Sequence, residues 1–266
     1  MSIPIIVVSD MHIGSTLGLC TPKVILDNEG EYCFTKDQKW LWRSWCDFWS
    51  KFVPETIGEK TEYDIVLNGD LLDNFHHQET ALFSSNTADQ VRCAYDVLTD
   101  DQVVRKMRHV YVIRGTEAHA GKAGQLEEKL SKLINARSLN GIKSTWSRTL
   151  SLGEHDVHFA HHIGVTFSPL SISAAPCREL ISSCLACSGA GRKVPSLLVR
   201  SHRHMYSQLS IGWGNREVGI VCTPGWQLAT AYVSKHSPSH KADIGGVVLL
   251  PGKEKPRVEM KRYVTC

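Results

Sequence analysis

Residues 109–119 read H-V-Y-V-I-R-G-T-E-A-H, an apolar run that ends in a glycine, a carboxylate and an imidazole. Val110–Ile113 is short, rich in β-branched residues and bounded by turn residues, which predicts a buried strand. Glu117 and His119 then lie just beyond the end of that strand. The stretch raises the question of whether these two side chains belong to a metal site or to an ordinary loop.

The same arrangement recurs along the chain, with a short apolar run followed directly by a polar cluster. The further cases are Ile3–Val8 before Asp10 and His12, Asp64–Leu67 before Asp70, Val157–Ala160 before His161 and His162, and Leu197–Val199 before His202 and His204. In open α/β sheets, ligands bind in the crevice beyond the carboxyl ends of the strands. Because buried charges need partners, core packing alone does not explain so many clusters at such ends.

Stretches with helical periodicity lie between these strands. In Lys36–Phe52 three tryptophans recur at spacings that place them on one helix face. Ala88–Arg108 and Gln125–Ala136 are predicted as further helices, and alternating strands and helices predict an α/β fold with a central sheet. A second sheet packed on the first is predicted because the C-terminal part is rich in strands. Its predicted strands are Glu217–Cys222, Gly245–Leu250 and Arg257–Val264.

Composition is that of a globular chain. With 266 residues, 42% hydrophobic and 21% charged, the chain suits one domain over residues 1–266, with residues 166–196 as a candidate cap or insertion. The net charge of +3 is too small to indicate nucleic-acid binding by itself.

No apolar run is long enough for a membrane span, and no signal peptide is recognised, so a cytoplasmic location is predicted, in a bacterium or a phage-infected host cell. The nine cysteines, an odd number, are predicted to be reduced thiols.

Two of the clusters have a spacing that suits metal binding. In an extended segment residues i and i+2 point the same way. Asp10 with His12, and His202 with His204, can therefore each reach one centre.

In their order the clusters resemble the calcineurin-like metallophosphoesterase superfamily, whose pattern is D-x-H, G-D, G-N-H, H and G-H-x-H. Here the series reads Asp10-Met-His12, Gly69-Asp70, Gly115-Thr-Glu-Ala-His119, His161-His162 and Ser201-His202-Arg-His204. Two elements depart from the pattern, because the third motif lacks its asparagine and Ser201 replaces the last glycine. The stretches T-P-G-W-Q at 223–227 and A-D-I-G-G at 242–246 are similar to members encoded in phages and prophages.

The resemblance implies a four-layer αββα sandwich, in which two mixed β-sheets are flanked by helices, with a centre for two divalent metal ions. Carried over residue by residue, one metal ion is held by Asp10, His12 and His204, the other by His161 and His202, and both by Asp70 as a bridge. Either His161 or His162 could be the histidine ligand. His161 is favoured, which leaves His162 behind the ligands or in contact with substrate.

The third motif leaves two alternatives for one ligand. In the superfamily the asparagine of G-N-H ligates the second metal ion, and the histidine serves as an acid or phosphate contact. Thr116 occupies the asparagine position here and is a poor substitute, so the hypothesis is Glu117 as a metal ligand and His119 as the catalytic acid. Alternatively Thr116 or water fills the position and Glu117 lies behind the ligands.

Mixed imidazole and carboxylate ligands suit Mn, Fe or Zn, and richer oxygen ligation favours Mn or Mg. Mn²⁺ is the predicted metal. A water bound between two cations is acidic enough to attack phosphorus at neutral pH, so no serine or cysteine nucleophile is needed. Candidate substrate contacts are Arg114, Arg203, His162 and His76. For the two arginines the alternative is structural pairing with carboxylates, and for His76 it is a solvated loop.

Three functions are consistent with these residues. The first is a metal-dependent phosphodiesterase acting on nucleic acid, DNA or RNA, or on nucleotides. The second is a phosphomonoesterase acting on nucleotides or proteins, and the third is a non-catalytic metal-binding scaffold on the same fold. The preference for nucleic acid rests on the phage-like resemblance and the mild positive charge.

Overall fold

The computed structural model of the chain describes residues 3–75, 81–165, 172–236 and 241–264. Its strands are β1 (Ile5–Val8), β2 (Lys23–Ile25), β3 (Glu31–Cys33), β4 (Tyr63–Asn68), β5 (Met107–Ile113), β6 (Ser144–Thr145), β7 (Ser147–Leu152), β8 (His155–Ala160), β9 (Leu197–Arg200), β10 (Ser207–Trp213), β11 (Arg216–Cys222), β12 (Ile244–Leu250) and β13 (Arg257–Tyr263). Its α-helices are α1 (Lys36–Asp47), α2 (Val53–Ile57), α3 (Thr87–Leu98), α4 (Asp101–Val104), α5 (Glu117–Ala120), α6 (Gln125–Leu133), α7 (Ala174–Gly189) and α8 (Ala231–His236).

Two mixed sheets form the centre of the molecule. The first has the strand order β13-β12-β1-β4-β5-β6, and its strands β1, β4, β5 and β6 run parallel. The second has the order β10-β11-β9-β8-β7, with β8, β9 and β11 parallel. The antiparallel strands β12, β13, β7 and β10 are added at the sides. Because every residue of β1 and β4 is buried, these strands need cover on both faces.

Three apolar clusters define the layers. Ile6, Ile65 and Val112 of the first sheet pack against helical residues such as Trp45 and Leu130. The opposite face of the first sheet packs on the second sheet, for example through Val7 and Val66 against Phe159 and Val199. The outer face of the second sheet, with Leu198 and Ile220, is covered by Leu180 and Cys184 of α7. The predicted four-layer αββα sandwich with two mixed sheets is therefore confirmed.

All three predicted helices differ from their predicted bounds, and the one predicted at Gln125–Ala136 ends at Leu133 as α6. The helix predicted at Lys36–Phe52 continues past Pro54, because α1 passes through a π-helical turn at Phe48–Phe52 into α2, which contains Pro54. The prediction of one helix over Ala88–Arg108 was wrong at its C-terminal end. Asp100 caps the short helix α4, and the chain then enters β5 at Met107.

Most of the segment 166–196 forms the fourth layer of the fold. Residues 166–171 lie outside the described residues, and helix α7 follows them and packs on β10 and β11. The side strands β7 and β10 were not predicted. Their residues alternate between more and less exposed positions, which is the period-2 pattern of half-buried strands. None of the described helices is both long and apolar enough to cross a membrane.

Candidate metal centre

The carboxyl ends of parallel strands from both sheets meet at one edge of the sandwich. Within the first sheet, Asp10 N donates to Gly69 O at 2.9 Å, and within the second, Ser201 N donates to His161 O at 2.9 Å. Across the sheets, Asn68 Nδ2 donates to the carbonyl of Ala160 at 3.2 Å. The polar clusters that follow these strands are thereby held close together.

The first group of potential ligands comprises Asp10, His12 and His204, whose ligand atoms all lie within 4.8 Å of one another. The Nε2 atoms of His12 and His204 are 3.2 Å apart, and His204 Nε2 is 3.3 Å from Asp10 Oδ1. Two imidazole nitrogens and a carboxylate oxygen around one point are a suitable donor set for a divalent cation.

The second group comprises Asp70, His161 and His202, again with ligand atoms within 4.8 Å of one another. Asp70 Oδ2 lies 3.0 Å from His161 Nε2 and 3.7 Å from His202 Nδ1. His161 Nε2 is also 3.9 Å from Asp10 Oδ1. The two groups are therefore neighbours, joined through His161.

His161 provides a test of whether a cation fits. Its Nδ1 lies 2.7 Å from the carbonyl oxygen of Asn68, which can only accept, so Nδ1 carries a proton. Its Nε2 is buried and makes no hydrogen bond with the described residues, because its 3.0 Å approach to Asp70 is not directed as a hydrogen bond. Once Nε2 releases its proton, this imidazole nitrogen and the two carboxylates that face the same space fit a divalent cation.

The charges of the centre shift the pKa values of its groups. Burial disfavours the carboxylate of Asp10, but the nearby His204 and His161 outweigh it and lower the pKa to about 2. Asp70 behaves alike, since His161 and His202 overcome burial and hold its pKa well below the usual range. Burial disfavours the imidazolium of His161, but Asp70 and Asp10 raise its pKa to about 10. Both carboxylates are thus ionised at neutral pH and ready to bind metal.

Most of the ligand positions have a backbone conformation that L-residues avoid. Left-handed φ values between 44° and 71° occur at Asp10, His12, Asp70, His202 and His204. Each such residue costs about 1–3 kcal/mol, and such conformations cluster at functional sites. Of the six residues in the two groups, only His161 has an ordinary φ, so the centre is built at the expense of stability.

This strain predicts an inverted order of stability at position 202, where φ is +71°. Both His202→Gly and His202→Ala remove the imidazole, but only alanine keeps a Cβ that conflicts with the left-handed backbone. The glycine variant should therefore unfold with a free energy about 1 kcal/mol higher than the alanine variant. Urea denaturation of the two metal-free proteins measures this difference.

His162 serves as the matched control, because it is exposed and its φ is not left-handed. There the order should be the usual one, with alanine more stable than glycine by about 0.4–1 kcal/mol. Equal stabilities of the two His202 variants would contradict the strain at this position.

Asp73, which the sequence-based prediction omits, lies behind the first group. Its Oδ1 is 3.0 Å from His12 Nδ1, and its backbone carbonyl lies 2.9 Å from His119 Nδ1. A carboxylate on the far nitrogen of a ligating histidine fixes the tautomer that presents Nε2 to the metal. The available sequence signal was an acidic residue, buried in the structure, directly after the apolar pair Leu71-Leu72.

The structure places His119 beside His12, with ring centroids 4.4 Å apart. Its Nδ1 donates to the carbonyl of Asp73, which makes Nε2 the basic nitrogen. Burial, and then the neighbouring His12, lower the pKa of His119 to about 4. In the metal-free chain at neutral pH, His119 is therefore a neutral imidazole that can accept a proton but has none to give as imidazolium.

The structure does not bring Glu117 to either ligand group. Glu117 is exposed at the start of α5 and belongs to none of the groups found among the described residues. Thr116 instead contacts the centre, because its backbone N and its Oγ1 donate to Asp70 Oδ1 at 2.7 and 3.1 Å. The alternative, with Thr116 at the asparagine position and Glu117 outside, agrees better with this geometry.

The candidate substrate contacts have different surroundings. Arg114 donates to Ser144 Oγ at 2.9 Å and lies 3.6 Å from Glu128, and the buried Arg203 donates to the carbonyl of Ile172 at 2.7 Å. Both arginines therefore have structural partners. The two remaining candidates are His162, which is exposed with its ring 4.9 Å from that of His202, and His76, which lies outside the described residues.

Ser201, where the superfamily pattern has glycine, belongs to a buried chain of hydrogen bonds between the sheets. Its Oγ lies 2.7 Å from Thr223 Oγ1 and accepts from Asn68 Nδ2 at 2.6 Å. Thr223 Oγ1 in turn lies 2.8 Å from Ser9 Oγ. This hydroxyl chain connects the ends of β1, β4, β9 and β11, and so holds both sheets' ligands as one unit.

No protein-family model matches the chain, and no curated protein matches it in sequence. Among solved structures it is similar to Vps29 from Chaetomium thermophilum, at 11% identity over 99% of this chain and 96% of that one, with a TM-score of 0.46. Wild-type Vps29 of Entamoeba histolytica complexed with Zn²⁺ has 10% identity, 98% coverage of each chain and a TM-score of 0.41. A predicted phosphoesterase from Streptococcus pneumoniae has 10% identity, 98% and 99% coverage and a TM-score of 0.35. At these values no function transfers to this chain, whose chemistry follows from its own side chains.

Proposed function

We propose that the chain is a metal-dependent phosphoester hydrolase that binds two divalent cations and acts on phosphodiesters of nucleic acid or nucleotides. The observation that carries this proposal is the pair of adjacent ligand groups, joined by the 3.0 and 3.9 Å approaches of His161 to Asp70 and Asp10. Paired divalent cations are a common solution to phosphoester hydrolysis.

In the proposed centre one cation would be held by Asp10, His12 and His204, the second by His161 and His202, and both by Asp70. When bound, the two cations would supply Lewis-acid activation of the phosphoryl group and of the attacking water. No serine or cysteine nucleophile is then required.

Other residues of the chain orient these ligands and accept protons. Asn68 O and Asp73 Oδ1 engage the Nδ1 atoms of His161 and His12, so that each ring presents Nε2 to the centre. Thr116 holds the Asp70 carboxylate by two hydrogen bonds. His119, whose Nδ1–H donates to the Asp73 carbonyl, can accept a proton from the attacking water at Nε2.

The donor set favours transition metals. Four imidazole nitrogens and two carboxylate oxygens suit Mn²⁺, Fe²⁺ or Zn²⁺ better than Mg²⁺, which prefers oxygen ligands. We propose Mn²⁺ as the activating ion. The preference for nucleic acid is supported by the resemblance to phage-encoded phosphoesterases and, weakly, by the net charge of +3.

Hydrolysis assays test the proposal directly. Metal-free protein should be inactive, and Mn²⁺ should restore hydrolysis of bis-p-nitrophenyl phosphate to a rate well above that of p-nitrophenyl phosphate. Single-stranded DNA should be degraded under the same conditions, and Zn²⁺, Fe²⁺ and Mg²⁺ in parallel rank the metals.

The outcomes separate the three candidate functions. Hydrolysis of the monoester alone would exclude the diesterase and favour a phosphatase. Two equivalents of bound Mn²⁺ without turnover of any substrate would leave a metal-binding scaffold. Hydrolysis that is indifferent to chelation would contradict the metal centre altogether.

A further inference from the structure

A buried carboxylate outside both ligand groups contacts the two loops that frame Asp70. Glu127 on helix α6 is fully buried. Its Oε1 accepts the backbone N–H of Leu71 at 3.1 Å, and its Oε2 accepts the backbone N–H of Gly115 at 2.7 Å. One side chain thus spans the loop after β4 and the loop after β5.

These bonds complete a closed ring around Asp70. Leu71 directly follows Asp70, and Gly115 directly precedes Thr116, which holds the Asp70 carboxylate through its backbone N and Oγ1. The backbone of Asp70 is therefore tied to Glu127 on one side, and its carboxylate is tied to Glu127 through Thr116 on the other. A shift of either loop would rotate this carboxylate.

The charge on Glu127 is costly in this position. No lysine, arginine or histidine of the described residues lies within ion-pair distance of it, and burial followed by the charge of Asp70 raises its pKa to about 7. Each oxygen accepts from a different N–H, so a proton on either oxygen would face a donor. A buried carboxylate without a cationic partner destabilises a protein core. The packing of α6 alone does not require a carboxylate at this position.

We propose that Glu127 is a positioning residue for the metal centre. It sets the distance between the loop of Asp70 and the loop of Thr116, and thereby the direction in which the Asp70 carboxylate meets the cations. This inference rests on the proposed function, because it assigns Glu127 to the same centre.

The Glu127→Gln variant tests the inference with little change of volume. The amide keeps one acceptor oxygen, but its NH₂ group faces a backbone N–H, so one of the two loops is released. Isothermal titration calorimetry of the metal-free protein with Mn²⁺ alone should show an affinity for Mn²⁺ that is reduced about 10–100-fold, the usual effect of losing a partner that orients a ligand. With the diester substrate, kcat should fall while KM stays near its wild-type value.

Asp89→Asn is the matched control. Asp89 is also a buried helical carboxylate, which accepts from Asp27 N at 2.8 Å and Ser84 Oγ at 2.7 Å and contacts no ligand loop through these bonds. Its variant should lose stability and keep wild-type Mn²⁺ affinity. Glu127→Asp, whose shorter side chain reaches only one loop, replaces the glutamine variant if the latter does not fold, as judged by circular dichroism.

Different experimental results would contradict the role of Glu127 and the proposed function. If Glu127→Gln melts at a lower temperature but binds two Mn²⁺ with wild-type affinity, Glu127 is a structural residue and the inference is wrong. If the wild-type chain binds Mn²⁺ without hydrolysing any phosphoester, the proposed hydrolase function is wrong. Reduced Mn²⁺ affinity of the variant would still support the positioning role of Glu127. A wild-type chain that binds no Mn²⁺ would overturn both.

Discussion

Replacing Asp70 with asparagine is expected to abolish phosphoester hydrolysis and to weaken the binding of both cations. Asp70 is buried, lies 3.0 Å from His161 and 3.7 Å from His202, and is the carboxylate that we assign between the two cations. A bound metal ion lowers the activation barrier by several kcal/mol. A variant that positions the cations poorly should therefore be slower by about 10³-fold or more. The measurements are kcat with bis-p-nitrophenyl phosphate and Mn²⁺ stoichiometry.

The metal-free form of the Asp70→Asn protein provides a second readout that does not depend on activity. Without the carboxylate beside it, His161 loses the main partner that raises its pKa to about 10, so an NMR titration should find a lower value. Asp156→Asn is the control, because it removes a surface carboxylate paired with Lys193. Wild-type turnover in the Asp70 variant would refute the bridging role.

Replacing Gly115 with alanine should strongly lower the free energy of unfolding. A Cβ at this position would lie 2.1 Å from Asp70 Oδ1 and 2.2 Å from Asp70 N. Because the backbone of Asp70 is held in the core, the clash can be relieved only by moving the loop, at a cost of about 3 kcal/mol. Urea denaturation of the metal-free protein should show this loss, and Mn²⁺ binding should fall with it.

Gly189→Ala is the control for this substitution. A Cβ at Gly189, in the last turn of α7, meets nothing within 4 Å, and alanine in a helix is favoured over glycine. That variant should be at least as stable as the wild type. A Gly115→Ala protein of unchanged stability would show that the loops after β4 and β5 are not packed as described.

The central sheets could be predicted because the buried strands carry their own signal, whereas the four-layer order was implied by the resemblance to the superfamily. Ile5–Val8, Tyr63–Asn68 and Met107–Ile113 are short runs rich in β-branched residues that end in glycine or acidic residues. The π-helical turn at Phe48–Phe52 could not be predicted, because Trp42, Trp45 and Trp49 keep the spacing of an ordinary helix across its start. The edge strand β10 was missed because its sequence, S-Q-L-S-I-G-W, has few apolar residues.

The grouping of the candidate ligands could be predicted because each one follows the end of a strand at the same edge of the sandwich. The supporting residues could not be predicted. Glu127 lies in the first turn of α6, where an acidic residue is usual in any helix, and only the packing of α6 against two loops gives it a contact. Glu117 misled for the opposite reason, since its chemistry suits a metal but the first turn of α5 points it to solvent.

The hydroxyl chain between the sheets also determines when the centre can form during synthesis. Ser9 meets Thr223 across 214 positions of sequence, and His12 meets His204 across 192. β1 lies between β4 and β12, so its second edge stays open until the C-terminal strands arrive. At ~5–20 residues per second, the ribosome needs roughly 10–40 s between His12 and His204. A nascent chain thus contains Asp10 and His12 long before His204 is synthesised, so the first ligand group cannot be complete in the early folding intermediates.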